Sequence, residues 1–148
     1  MTRLGYAVRV CYVAAAWLFV AGVQGQAFLA GLALFVGPGT WASHRELGHS
    51  IAILPLLLLL LAWRGRLPRP AVRQAALLFG VYVVQAELFA AVRRQIPTLA
   101  ALHPVLALLL FTVGVAVARH AWSTLRRQPA PAAPAADGGQ LVAPQGAV

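Results

Sequence analysis

The feature that most constrains this fold is a mismatch of lengths. From Val10 to Phe35 the chain runs for 26 residues without a charged side chain. A helix needs about 20 apolar residues to cross the hydrocarbon of a bilayer, so this stretch spans a membrane unaided. Its counterpart, Ile51 to Trp63, has only 13 residues. A second span closes only if the polar stretch before it, Trp41 to Ser50 (WASHRELGHS), gives its last turns to the helix. His44, Arg45, Glu46 and His49 are thereby drawn to the outer end of a span. Ionisable groups at that depth are costly, and they mark a functional site by default.

Composition fixes the class. The chain is 61% hydrophobic and 10% charged, with mean hydropathy +0.78, and a water-soluble domain of this size could not bury so much apolar surface. The net charge of +9 comes from arginine alone. These arginines cluster in short loops between apolar runs, where they set orientation. Nucleic acid is not an expected partner, because no basic groove interleaved with aromatic residues is present. Cys11 stands alone inside an apolar segment, which excludes an intramolecular disulfide and suits a small packing residue. The first apolar run is too long for the core of a signal peptide and reads as a retained span.

Four spans are expected at about 10–35, 44–63, 75–92 and 100–119, within a bundle covering 1–128. Pro55 should kink the second. Gln24 and Gln26, among small residues of the first, suit tight helix packing. The Ala/Pro-rich tail 129–148 reads as disordered. With the N-terminus inside, the inner side holds Arg3, Arg9, Arg64, Arg66, Arg69, Arg73, Arg119, Arg126 and Arg127. The outer side holds Arg45, Arg93 and Arg94. Nine against three favours both termini inside. The expected fold is all-α, an integral four-helix bundle of a bacterial inner membrane with N-in/C-in topology.

Spans two and four then run in parallel, and each needs a polar turn to complete its length. The run Val105–Ala118 has 14 residues, so His103 falls at the same outer level as His44. Two parallel helices each offering an imidazole suit heme b, with His44 and His103 as axial ligands to the iron. Gly48, one turn below His44, would leave room for the flat macrocycle. Arg45, Arg93 and Arg94 could meet the propionates. Gln85 and Glu87 end the third span at this level, and Glu87 has Arg45, Arg93 and Arg94 as expected partners. His49 is the competing ligand, because spacing alone does not exclude it. Zinc and di-iron sites fit less well, since HRELGH spaces its histidines five apart and only one Glu-x-x-His is present. His120 lies at the opposite surface beside Arg119 and Trp122. No nucleophile–base pair stands out, so an enzyme is not the leading expectation. Electron transfer or heme handling, with a redox or membrane-protein partner, leads. A cofactor-free accessory subunit, a quinone- or lipid-binding module and a homo-oligomer remain open.

The order of motifs resembles one four-helix half of the heme A synthase family. His44-Arg45 opens one span, Gln85 lies late in the next, and Leu102-His103 opens the third. The resemblance implies that His44 and His103 are heme ligands or heme-handling residues. The family's glutamate three positions before His-Arg is Trp41 here, so the resemblance does not carry heme A synthesis with it. The whole chain is closer to small bacterial four-span proteins grouped as a domain of unknown function (6220). The shared features are Phe28 to Gly31, the His-Arg-x-Leu-Gly of His44 to Gly48, and Leu102-His103-Pro104. This second resemblance implies the fold and no activity.

Overall fold

The computed structural model describes residues 2–88, 91 and 95–127. All regular structure among them is helical. Helix α1 covers Arg3–Phe35 and is capped by the Thr2 hydroxyl, which accepts from the Gly5 N–H at 3.1 Å. A 3-10 turn, Pro38–Thr40, leads into α2 (Trp41–Ile51), followed by α3 (Ile53–Arg64). Helix α4 (Arg69–Val83) continues as a π-helix over Val84–Leu88. A single turn, α5 (Pro97–Ala100), precedes α6 (His103–Arg126). The expected spans 10–35, 44–63 and 100–119 fall within the helical stretches Arg3–Phe35, Pro38–Arg64 and Pro97–Arg126, whereas the third, 75–92, runs beyond the described residues. Arg93, Arg94 and the tail 129–148 fall outside the described residues.

The chain is a helical bundle and a membrane protein. Three described helical rods, Arg3–Phe35, Pro38–Arg64 and Pro97–Arg126, are long and apolar enough to cross a bilayer. At most 28% of the apolar window of any of them is buried by protein, which leaves the greater part of each surface for lipid. Helix α1 packs against α2–α3 on one side and α6 on the other, while α4 closes the ring between α3 and α6. Each rod thus touches its neighbours in the order one, two, three, four. Spans two and four face each other along a diagonal.

The core follows from helical periodicity. Ala71, Ala75, Leu78 and Tyr82 recur at intervals of three and four along α4 and are buried. They meet a stripe of α1 from Tyr12 to Val23 and a stripe of α6 from Leu110 to Ala121. Phe19 sits fully buried at the centre, edge-on to Tyr82 with ring centroids 6.1 Å apart. Close approach of α1 and α2 depends on Gly22, where an added Cβ would come within 2.8 Å of Ile51 Cγ2. Cys11 is exposed on the outside of α1, so it does not fill a gap in the core as its apolar setting suggested.

Pro55 breaks the second span as expected, and the break falls one turn earlier, at Ala52. Proline has no N–H for the Ile51 carbonyl, and its ring crowds that carbonyl. The Ala52 N–H turns to His49 O at 3.2 Å, a 3-10 bond in place of the α-helical bond to Gly48. The Gly48 carbonyl is released from the ladder.

Candidate functional site

The break has a direct consequence. The released Gly48 carbonyl accepts a hydrogen bond from the Tyr82 hydroxyl of the third span. A buried backbone oxygen must find a donor, and the tyrosine supplies one across the bundle. This bond ties α2 to α4 at the level of the polar stretch.

On α2, His44 turns inward and His49 outward. His44 is partly buried, and its Nδ1 lies 3.1 Å from the Gln26 main-chain oxygen of α1. A carbonyl only accepts, so Nδ1 carries the hydrogen and the Nε2 of the neutral ring keeps its lone pair. Trp41 packs edge-on against the same ring at 5.5 Å. His49 is exposed, and its Nδ1 bonds to the Arg45 carbonyl of its own helix at 2.8 Å. The five-residue spacing separates the two histidines by about 140° around the helix, and only one of them can face the bundle.

Across the diagonal, His103 opens α6 directly before Pro104, which occupies one of the first helical positions. The His44 and His103 rings face each other with centroids 6.3 Å apart and planes inclined at 60°. Gln85, in the π-helix, donates from Nε2 to the His103 carbonyl at 2.9 Å. Gln85, three residues after Tyr82, is buried on the same side of the helix. Short π segments recur at functional sites.

Two polar atoms in this cluster are buried without a hydrogen bond, Gln26 Nε2 and Gln85 Oε1. One is a donor and the other an acceptor. Gln26 also approaches Gly48. A Cβ on Gly48 would lie 3.3 Å from Gln26 Nε2. The glycine leaves room for this amide.

The remaining expected residues lie apart from the ring pair. Arg45 and Glu46 are exposed beside His44, and Glu87 is exposed on the π-helix. The described residues form no ion pair between Glu87 and Arg45. Arg93 and Arg94 are outside the described residues. No three histidine, cysteine, aspartate or glutamate side chains gather among the described residues, so the donor set of a closed zinc or di-iron site is not assembled there. Sequence reasoning missed Tyr82 and treated Gln26 as packing. Tyr82 precedes Gln85 by three residues on the apolar stripe of α4, and that spacing was the available signal. The role of Gln26 rests on its backbone carbonyl, which no residue type announces.

Packing density also differs between the two ends. Between Gln24 and Ser50 the only buried apolar residue is Ala33, and α6 buries none before Leu110. The polar cluster therefore sits at the loosely packed end of the bundle.

Comparison with curated proteins and with solved structures gives no match. Residues 26–91, which carry Gln26, the His44 stretch, Tyr82 and Gln85, match the model of a family of unknown function (DUF6220), the family that the sequence resembles in its own motifs.

Proposed function

We propose that this chain is a b-type heme protein of the bacterial inner membrane, with His44 and His103 as the axial pair, serving electron transfer or heme handling. The observation that carries the reading is the separation of the two rings. Imidazoles sharing one metal at about 2.0–2.1 Å each hold their nitrogens about 4 Å apart; about 1 Å from each nitrogen to its ring centre puts the centres about 6 Å apart. The rings stand 6.3 Å apart. Their 60° inclination suits an axial pair, because each ring can rotate about the shared axis.

The chain's own groups prepare such a site. The Gln26 carbonyl fixes the tautomer and orientation of His44, as the outer partner of a metal-bound histidine does. Gln85 holds the first turn of α6, and with it the backbone of His103. Entry of a macrocycle would cost Gln26 Nε2 and Gln85 Oε1 no hydrogen bond, because neither atom has one. Bound iron would supply a one-electron couple tuned by the two imidazoles and the low-dielectric surroundings.

The test is the absorption spectrum of the purified full chain, with heme added where the preparation is colourless. A Soret band that persists in His49→Ala and His120→Ala but is lost in His44→Ala and in His103→Ala supports the assignment. A parent protein with no Soret band after heme titration refutes it.

A second reading rests on the orphaned amides. A buried donor and a buried acceptor beside a histidine pair suit the hydroxyls of a quinol, the reduced form of a quinone, which both accept and donate. It predicts a heme-free protein that binds a quinol analogue and loses that binding in Gln85→Leu.

A further inference from the structure

The opposite end of the bundle holds a cleft that the heme reading leaves unexplained. It opens between α1, the loop after α3 and the end of α6, as a shallow cleft with a cavity of about 40 Å³. Its polar side chains are Arg9, Tyr12, His120 and Thr124; Leu67 and Leu125 belong to its apolar wall. Arg9 is half-buried. Among the described residues its guanidinium has neither an ion pair nor a hydrogen bond. A guanidinium withdrawn from water calls for a counter-charge.

Among the described residues none lies at this end. Both described acids, Glu46 and Glu87, belong to the end that carries His44 and His103. The end with the cleft holds nine arginines: Arg3, Arg9, Arg64, Arg66, Arg69, Arg73, Arg119, Arg126 and Arg127. Orientation alone explains exposed arginines in loops. It does not explain one recessed inside α1 against a cleft with a histidine and a hydroxyl. We propose that this cleft binds the phosphate of an anionic phospholipid headgroup, with Arg9 as the principal contact and His120 as the second. Arginine suits phosphate because its fork of N–H donors engages two oxygens at once. The apolar wall suits the glycerol and upper acyl carbons of a lipid seated between helices. Basic pockets between membrane helices bind headgroups in this way.

The test uses the full chain in detergent and native mass spectrometry, with dioleoyl phosphatidylglycerol, dioleoyl phosphatidylcholine and inorganic phosphate as separate probes. One phosphatidylglycerol retained per chain, in preference to phosphatidylcholine, is the expected result. Arg9→Gln combined with His120→Gln should weaken retention at least fivefold, and Arg9→Lys, which keeps the charge without the fork, should weaken it less than the double variant. Arg127→Gln, which removes a charge outside the cleft, should change retention less than twofold. Circular dichroism checks that each variant is folded. Equal retention by the double variant overturns the proposal. So does an equal loss in Arg127→Gln, which would mark a diffuse charge effect. Displacement of the lipid by millimolar inorganic phosphate, with the phosphate itself retained, overturns the lipid as the source. None of these outcomes depends on the heme reading, because the cleft and the histidine pair lie at opposite ends.

Discussion

Replacing Gln85 by leucine should make the heme-free protein slightly more stable, against the usual expectation for removing a hydrogen-bonded side chain. The substitution deletes the 2.9 Å bond from Nε2 to the His103 carbonyl. Side-chain hydrogen bonds between membrane helices average about 0.6 kcal/mol. The His103 carbonyl is not stranded, because it opens α6 and only the last four carbonyls of a helix lack an intrahelical donor. Leucine also deletes Oε1, a buried acceptor with no partner. Leaving such an atom unsatisfied costs about 1–3 kcal/mol. The difference favours leucine by about 0.5–2 kcal/mol.

The assay is reversible unfolding in mixed micelles of increasing SDS fraction, followed by far-ultraviolet circular dichroism. Leu78→Ala serves as the comparison, because Leu78 is fully buried one turn before Tyr82. It should lose about 2–5 kcal/mol. A loss of more than about 1 kcal/mol in Gln85→Leu would refute the reasoning, because Oε1 would then be satisfied and the amide would be a structural tie. A gain would mean that the amide is carried at a cost to the fold, as ligand-contacting groups are.

Two further substitutions test how the site is built. Pro55→Ala restores a donor to the Ile51 carbonyl and a continuous helix through Ala52, so the Ala52 N–H competes with Tyr82 for the Gly48 carbonyl. Heme affinity should fall about tenfold or more, a change of about 1.4 kcal/mol, with helicity undiminished; unchanged affinity in a heme titration would show that the break does not position His44. Gly22→Val drives a side chain into Ile51, where even a Cβ would lie at 2.8 Å. It should cost about 1–3 kcal/mol in the same unfolding assay, and a neutral result would show that α1 and α2 can part freely.

Much of this arrangement was legible in the residues, for reasons that can be named. The bilayer sets a length, so two runs of 13 and 14 residues had to recruit His44 and His103. Alternation of direction then put both histidines at one end. Pro55 announced the break because its chemistry is local. The diagonal relation of spans two and four was not legible, because it depends on which apolar stripes pack together. The choice between His44 and His49 needed the rotation of α2, which Gly22 and Ile51 help to fix. The π segment over Val84–Leu88 has no residue signature. The neighbour of Gly48 was not legible, because a glycine reports only that something comes close. That neighbour was the side chain of Gln26.

On the proposed heme reading, the two ends of the bundle divide the work of folding and of binding. Tyr12 to Val23, Ile51 to Leu67, Ala71 to Tyr82 and Leu110 to Ala121 supply the buried apolar cluster, and this part of the bundle sets the register of every helix. The histidine end has little such surface. It is held by directional bonds instead: Tyr82 to the Gly48 carbonyl, His44 to the Gln26 carbonyl, and Gln85 to the His103 carbonyl. All three accept on backbone oxygens, so each fixes a helix while leaving side-chain atoms to a ligand. Dense packing there would have closed the space between the rings. A wholly apolar end would have left nothing to aim them. Backbone-anchored polar bonds at a loosely packed end satisfy both demands, and under that proposal the unpaired atoms of Gln26 and Gln85 are the ones left to a ligand.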